Sequence, residues 1–383
     1  MAKKSVHLPL ELITEILLRL PVKTVLRCKR VCKSWLSLIS HPDFGTSHFQ
    51  LTAAEPTNRL VFLDNFFDVP EILSIDFDAS LNDDSSYSSL LSLQFFQLRS
   101  ICEIVGSCRG FLLLTCDKDF YIWNPSTGVI KYTPVSVSPI TMASNDHIPC
   151  LLYGFGYDPS TDDYLVVLGS FKHTNDPADS SIDLAIFSFR ANQWKQIQSA
   201  SHFPYWIIDT CVYPGVGLLL NHVIHWLVYN YETSRYAIIA FDLKEMTMSE
   251  IALPDEFIFS VRNTSSIERD LLELGGLISA YHMKNYTIEI WVMQEYKVHS
   301  SWTKTLHFSF YPAPDFSPLC FTNCGDIVGT VRDGGLVKFN DKGELLERHS
   351  YGNCCFQRCQ MVVYTESLLS LPSGTGQALD DSR

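Results

Sequence analysis

The sequence lacks the features that mark membrane-spanning and secreted proteins. No run of 18 apolar residues occurs in the chain, and a transmembrane helix would need one. The first 21 residues, MAKKSVHLPLELITEILLRLP, contain neither a long apolar core nor a small-residue cleavage site, so they do not resemble a signal peptide. We therefore expect a cytoplasmic or nuclear protein with no membrane partner, whose twelve cysteines are free and mostly buried thiols.

The sequence motifs of several large enzyme classes are missing as well. The chain contains no GxSxG nucleophile motif, no Walker phosphate loop and no GxGxxG dinucleotide motif. The carboxylate pairs at residues 83–84 and 162–163 lie in polar or turn-like sequence, where solvated loop tips are the expected placement. We predict no catalytic residue and no cofactor.

Two kinds of residue pair have the side chains of a metal site, but neither has a supporting pattern. His222 and His225 lie in sequence typical of a hairpin, and residues three apart on a strand point to opposite faces. The cysteine pairs at the ends of residues 320–324 and 355–359 have a spacing that zinc permits, but no histidine follows either pair at zinc-finger spacing. The sequence therefore predicts no metal site.

Charge is distributed unevenly along the chain. The formal net charge of all 383 residues is −13, yet residues 1–50 carry eight basic and three acidic residues, whereas the rest carry 21 and 39. The resulting charges of +5 and −18 indicate two parts with different surfaces. An acidic main part argues against nucleic acid as a partner, because phosphate binding needs clustered lysine and arginine.

The first fifty residues show helical periodicity. A first helix is predicted between Pro9, which suits a first helical turn, and Pro21, which ends it. Two shorter helices are predicted at residues 22–27 and 31–39, and Pro42 is expected to close the third. A module of this size has too little interior for its apolar side chains, which indicates a docking module with an exposed apolar face. The alternative is that this face packs against the rest of the same chain.

The remainder of the chain has the pattern of an all-β domain. Short runs rich in β-branched and aromatic residues recur, bounded by Gly, Pro, Asn and Asp. Residues 268–274 are the modest exception, and we expect a turn or two of helix there. Apolar strand, polar turn and second strand repeat at steps of 64, 54, 50 and 48 residues, which favours a kelch-like β-propeller over the alternative of a β-sandwich of stacked sheets. The repeat anchors are Trp123, Phe187, Phe241, Trp291 and Phe339, with Phe62 as a candidate sixth.

Residues 8–40 resemble an F-box. The segment carries the signature LPxEL…EILxRLPVK…LR…VCKSW…LIS, which is long and specific. The resemblance implies a three-helix domain that docks onto a Skp-type linker and through it onto a cullin–RING ubiquitin ligase. The positions that it places against the linker are Leu8, Pro9, Ile16, Leu17, Leu20, Pro21, Val22, Leu26, Val31, Cys32 and Trp35. The positive charge of this part would steer it toward an acidic linker.

The β domain resembles a plant F-box-associated interaction domain, as found in F-box/kelch-repeat proteins and the broad S-locus F-box group. The motifs include GSCRGFL from residue 106, IWNPSTG from residue 122, YGFGYD from residue 153 and YTESL from residue 364. No Gly-Gly pair recurs in each repeat, so kelch is a fold analogy here. We assign residues 6–48 to the F-box, 55–370 to the β domain and 371–383 to a flexible tail.

Together these resemblances imply a non-catalytic, substrate-recognition adaptor of an SCF-type (Skp–cullin–F-box) E3 ubiquitin ligase, with an unknown target protein. One alternative is a scaffold that binds proteins without building a ligase, and another is a propeller enzyme. Loop-like aromatic segments at residues 66–67, 203–206 and 213–215 could form a recognition surface or could fill gaps between blades.

Overall fold

The structure is a computed structural model of the 383-residue chain. It describes residues 8–52, 58–64, 71–76, 91–92, 102–116, 119–133, 151–172, 180–200, 202–207, 215–257, 268–284, 287–309, 316–322, 325–331, 335–350 and 359–372. Four helices come first, followed by strands that form six sheets in the described part of the chain.

The helical part contains one helix more than the sequence predicted. The helices are α1 (Leu10–Leu18), α2 (Val22–Cys28), α3 (Lys33–Ile39) and α4 (Pro42–Thr52). Pro42 was expected to close α3, but it opens α4, because proline suits a first helical position where no N–H is needed. The N–H groups of Phe44 and Gly45 both donate to the carbonyl of His41, which forms the first turn.

The strands form six antiparallel blades, each numbered here from its innermost strand outward. Blade 1 consists of β25 (Cys359–Thr365), β1 (Asn58–Asp64), β2 (Glu71–Asp76) and β3 (Leu91–Ser92). Blade 2 consists of β4 (Cys102–Cys108), β5 (Phe111–Cys116), β6 (Asp119–Trp123) and β7 (Ile130–Thr133). Blade 3 consists of β8 (Leu151–Asp158), β9 (Asp163–Lys172), β10 (Ser181–Ser188) and β11 (Gln193–Ala200).

The other three blades follow the same order. Blade 4 consists of β12 (Tyr205–Ile207) and β13 (Leu218–Leu220), which both pair with β14 (Val223–Asn230), then β15 (Arg235–Asp242) and β16 (Thr247–Ala252). Blade 5 consists of β17 (Glu268–Leu274), β18 (Leu277–Lys284), β19 (Thr287–Met293) and β20 (Trp302–Ser309). Blade 6 consists of β21 (Ser317–Phe321), β22 (Ile327–Val331), β23 (Gly335–Phe339) and β24 (Leu345–Ser350).

The ring closes because the last strand of the chain joins the first blade. β25 pairs antiparallel with β1 from Asn58 opposite Thr365 to Asp64 opposite Cys359. The same β1 contributes alternate side chains to two neighbouring cores, because successive residues of a strand point to opposite faces. Leu60 and Phe62 pack toward blade 6, whereas Val61 and Leu63 pack toward blade 2.

Apolar cores lie between all adjacent blades. Six buried clusters separate blades 1 and 2, 2 and 3, 3 and 4, 4 and 5, 5 and 6, and 6 and 1. The predicted propeller is confirmed, and the sandwich alternative is not the observed architecture. Each core depends on both of its blades, so the domain is one cooperative ring in the region described.

Five of the six predicted repeat anchors are equivalent in space. The anchors from Trp123 to Phe339 all lie on the third strand of their blades, namely β6, β10, β15, β19 and β23. Phe62 does not, because it lies on β1, the second strand of blade 1. Because the last strand of the chain, β25, is the innermost strand of blade 1, β1 is the second strand of its blade. Counting strands from the N-terminus makes β1 the first.

Three local expectations are corrected. Residues 268–274 form strand β17 rather than a helical turn, because Leu271 packs into the core between blades 4 and 5 and Leu272 into the core between blades 5 and 6. Asp163 is no solvated loop tip: it is 4% exposed and accepts hydrogen bonds from the Arg190 N–H at 2.7 Å and the Ser188 hydroxyl. The other pair, at residues 83–84, lies outside the described residues.

The third correction concerns the cysteines. Cys102 and Cys116 form a disulfide, with their Cα atoms 4.3 Å apart, because β4 and β5 place them directly opposite each other. The prediction of free thiols is therefore wrong for this pair. Among the described residues Cys28, Cys32, Cys108 and Cys320 are free, and burial raises the pKa of the Cys108 thiol to about 12.

Candidate functional site

The first candidate site is a set of exposed apolar side chains on and beside helices α1 and α3, here called the docking face. Large apolar side chains stand about half exposed there, although a fold of this size would gain from burying them. They are Leu8, Leu10, Leu12, Ile16, Val31 and Leu36. Several large exposed apolar side chains in one small module are typical of a protein–protein interface.

The residues predicted to face a linker divide into three groups by burial. Six are exposed, namely Leu8, Pro9, Ile16, Pro21, Val31 and Cys32. Leu20, Leu26 and Trp35 are partly buried against the helical core. Leu17 and Val22 are buried inside that core, at 1% and 4% exposure, so they support the docking face from below rather than forming its surface.

Cys32 and Pro21 hold turns between the helices of this face. Pro21 precedes α2 in an extended conformation, and its carbonyl accepts the first bonds of the helix from Thr24 and Val25. Cys32 is the residue before α3, where a hydrogen bond from the Trp35 backbone lowers the pKa of its thiol. Both residues therefore lie at helix starts, where their carbonyls accept the first backbone hydrogen bonds of α2 and α3.

The second candidate site is the junction between the helices and the propeller. Residues 366–371, here called the C-terminal strap, follow β25 and run between the two parts. Leu368 is buried in the core of the helices, whereas Leu369 is buried in the core between blades 2 and 3. Helix α4 lies against the strap so closely that a Cβ on Gly45 would be 2.6 Å from the Leu368 carbonyl oxygen.

Polar groups of blade 2 bind the strap from the propeller side. The Asn124 side chain is fully buried, and its Nδ2 donates to the carbonyl oxygens of Ser367 and Leu369, both at 3.2 Å. The Oδ1 of the same side chain accepts the backbone N–H groups of Ser126 and Thr127, which holds the β6–β7 turn. The Ser367 hydroxyl donates to the carbonyl of Arg109 at 3.1 Å.

A buried carboxylate connects three parts of the chain at this junction. Glu366 is 7% exposed, and its Oε1 lies 3.5 Å from Nε of Arg59 on β1 and 3.8 Å from Nζ of Lys23 on α2. The Arg59 side chain is 2% exposed and also donates to the Ser74 hydroxyl at 2.8 Å. Since a buried carboxylate needs a charged partner, these two cations fix where the strap can lie.

Arg109 adds a stacked contact across the same junction. Its guanidinium lies 3.8 Å from the ring centre of Tyr157 on β8 and 4.9 Å from that of Phe49 on α4. Arg109 and Gly110 both have positive φ angles, 50° and 84°, as the two-residue turn between β4 and β5 requires. The motifs GSCRGFL, IWNPSTG and YTESL, which are far apart in sequence, therefore meet at this one place.

A third feature is a cavity of about 700 Å³ along the propeller axis. It is lined by the first strand of each blade, with Arg109, Asp270, Glu273 and Gln360 among its polar side chains. Burial raises the pKa of the Asp270 carboxyl to about 6 and also raises that of Glu273. The Asp270 carboxylate accepts the N–H of Leu271 at 2.8 Å.

The residue pairs considered for metals do not come together as ligands. His222 is in the turn before β14, where its Nδ1 is 3.0 Å from the Tyr157 carbonyl, whereas His225 is buried within β14 and lies 2.8 Å from the Tyr296 hydroxyl. Cys324 and Cys355 lie outside the described residues. Within the ranges that the structure covers, no three His, Cys, Asp or Glu residues cluster as metal ligands would. None of the described helices is long and apolar enough to cross a membrane.

The residues predicted to face a linker stay a prediction, and the strap was not predicted. The YTESL motif was placed at the end of the β domain, and residues 371–383 were expected to form a loose tail. Leu371 instead packs, partly buried, against the core between blades 2 and 3, and residues 373–383 lie outside the described part. Residues 366–369 are all buried, but their sequence carries no signal for which two domains they join.

Comparisons with known proteins agree with this two-part organisation. An F-box domain model matches residues 6–47, and a model described as the F-box associated beta propeller domain matches residues 62–341. F-box protein CPR1 of Arabidopsis thaliana is 29% identical over 78% of this chain and 72% of its own length. The Arabidopsis F-box/kelch-repeat protein At3g23880 is 29% identical over 87% of this chain and 88% of its own length. These two relatives are plant proteins, and this chain belongs to the family of F-box proteins with an F-box-associated β-propeller domain.

Proposed function

We propose that this protein is the substrate-recognition subunit of an SCF-type ubiquitin ligase. The docking face binds a Skp-type linker, which connects the chain to a cullin and a RING subunit, and the propeller binds a target protein. The observation that carries the proposal is the set of half-exposed apolar side chains within the segment that matches the F-box model. In a complex these side chains would be removed from water, which is the main source of binding free energy at such interfaces.

In this proposal the protein contributes position rather than chemistry. A ligase adaptor raises the effective concentration of target lysines near the ubiquitin-loaded enzyme. The propeller part carries a net charge of −18 over residues 51–383, which favours basic over acidic target surfaces. Among the aromatic side chains that the structure describes, Trp206 on β12 is 55% exposed, which suits a residue that contacts a target protein.

Co-purification from cells that express the tagged full-length chain tests the proposal. The wild-type chain should recover a Skp-type linker and a cullin, and the purified complex should transfer ubiquitin. Leu20→Asp combined with Pro21→Ala, or Ile16→Asp alone, should abolish recovery of both while the propeller stays folded. Leu345→Asp is the matched control, because Leu345 is equally exposed on β24 of blade 6.

The competing function is a scaffold that binds other proteins without forming a ligase. Under that function the wild-type chain would recover protein partners but neither linker nor cullin. Unchanged linker recovery by the Ile16→Asp chain would contradict the assigned docking face.

A further inference from the structure

We propose that the C-terminal strap is a positioning element that fixes the orientation of the F-box on the propeller, with Glu366 as its central positioning residue. The inference rests on the proposed function, since orientation decides which target lysines come near the ubiquitin-loaded enzyme. Its structural part, a fixed orientation, can be measured on the chain alone.

The strap gives the two domains a second connection. The covalent connection runs from the end of α4 at Thr52 to the start of β1 at Asn58. A single short connection would leave a hinge between two folded parts, and relative motion is the default when few contacts cross a domain boundary. The strap enters the boundary from the opposite end of the chain, so the F-box is held at two points.

One side of the strap contacts the F-box, and the other side contacts the propeller. Toward the F-box, Leu368 completes the helical core and its carbonyl lies against Gly45, where a side chain would not fit. Toward the propeller, Asn124 binds the carbonyl groups on both sides of Leu368. A segment held in this way cannot slide along the boundary, because a shift by one residue would remove all of these contacts.

Glu366 ties the orientation to the F-box by charge. Its carboxylate is buried between Arg59 of the propeller and Lys23 of the F-box. Rotation of the F-box would draw Lys23 away, and the carboxylate would lose a cation that compensates its burial. Arg109 opposes the same rotation, because its guanidinium lies between an F-box ring and a propeller ring.

A fixed orientation matters for a proximity mechanism. Effective concentration depends on the distribution of distances between the two tethered reactants, and a hinge would spread that distribution. A held F-box should therefore direct ubiquitin to a small set of lysines.

Distance measurements between two spin labels test the inference on the full-length chain, alone and bound to a Skp-type linker. Genetically encoded labels replace Gln50 on α4 and Lys244 in the turn after β15, both exposed. The wild-type chain should give one narrow distribution. Glu366→Gln combined with Leu368→Ala should broaden it at least twofold, with linker affinity within twofold. Glu245→Gln is the matched control, because Glu245 is an exposed glutamate that pairs with Lys244. For this control the second label replaces Glu232 instead of Lys244, so that the pair is present in the parent chain. The width of the distance distribution should be the same with and without Glu245→Gln.

A second variant keeps the test decisive if the first does not fold. Gly45→Ala leaves Glu366 in place and favours the helix, but its methyl group should displace the strap and broaden the distribution. In a reconstituted ligase, mass spectrometry should find ubiquitin on more of the chain's own lysines in either variant. Distributions as narrow as wild type in both variants would overturn the inference. Failure of the wild-type chain to bind any linker would instead contradict the proposed function. The distances measured on the chain alone would still test whether the strap fixes the orientation of the F-box.

Discussion

Val61 on β1 and Val362 on β25 lie opposite each other in one antiparallel pair, although they come from opposite ends of the propeller sequence. This pairing closes the ring, and its two strands contribute to the cores of blades 6 and 2 at once. The stability of every blade therefore depends on the last described strand.

Removal of that strand should destroy cooperative unfolding. A chain ending at Arg358 lacks β25 and leaves the apolar edge of β1 unpaired, so we expect a broad thermal transition by circular dichroism and aggregation. A chain ending at Pro372 keeps both β25 and the strap and should melt as the full-length chain does. Equal melting of the two truncated chains would contradict ring closure by β25.

Gly110 should tolerate alanine worse than Gly128. Both residues have positive φ angles, but a Cβ on Gly110 would meet the Ser367 hydroxyl, whereas nothing lies within 4 Å of one on Gly128. Gly128→Ala should cost roughly 1 kcal/mol of unfolding free energy, and Gly110→Ala roughly 2 to 4 kcal/mol because overpacking adds to the strain. Urea denaturation measures both values, and equal costs would show that the strap does not lie against this turn.

His225 should make the propeller less stable in mild acid. Its Nδ1 faces the Leu218 carbonyl, which can only accept, so Nε2 accepts from the Tyr296 hydroxyl and the ring is neutral. Burial lowers its pKa to about 4, below the value near 6.5 of the unfolded chain. The unfolded chain therefore takes up a proton first, and stability should fall as the pH drops from about 6.5 to 4.

The His225→Gln chain should lose this part of the pH dependence while keeping a polar group for Tyr296. Urea midpoints at pH 7.5 and 5 measure the difference. His202→Gln, at a histidine that is half exposed, is the control and should retain the wild-type slope. If the His225→Gln chain loses as much stability between pH 7.5 and pH 5 as the wild-type chain, His225 is not the cause of the pH dependence.

Asp270 should behave in the opposite way. Burial raises its pKa to about 6, so the folded chain holds the proton more tightly than the unfolded chain, and ionisation above pH 6 destabilises the fold. Asp270→Asn keeps an oxygen for the Leu271 N–H and should raise stability at pH 8. The gain should vanish as the pH falls from 6 to 4. A gain in unfolding free energy that is the same at pH 8 and at pH 4 would contradict a charged Asp270 carboxylate in the folded chain at pH 8.

Much of this architecture could be predicted because it is local. The helices of the docking face follow from apolar spacing and prolines, and the third strands of five blades follow from aromatic anchors such as Trp123 and Trp291. Strand β17 was misjudged because Asp270 and Glu273 break the alternation expected of a strand, and they do so because they line the axial cavity.

The features that could not be predicted depend on partners distant in sequence. Phe62 looks like any other anchor until β25 is placed beside it. Glu366 looks like an exposed acid after a strand, and only the folded chain brings Arg59 and Lys23 to it. Cys102 and Cys116 are closer in sequence, in one hairpin, but a bulge between Ile104 and Gly106 shifts the register, so a count back from the turn does not pair them.

The affinity of the purified full-length chain for a Skp-type linker, measured by calorimetry, tests the central claim most directly. We predict tight binding by the wild-type chain, binding at least tenfold weaker for Ile16→Asp and for Val31→Asp, and unchanged binding for Leu345→Asp. Equal affinity of all four chains, or no binding by the wild-type chain, would contradict the assignment of this surface to a ligase linker.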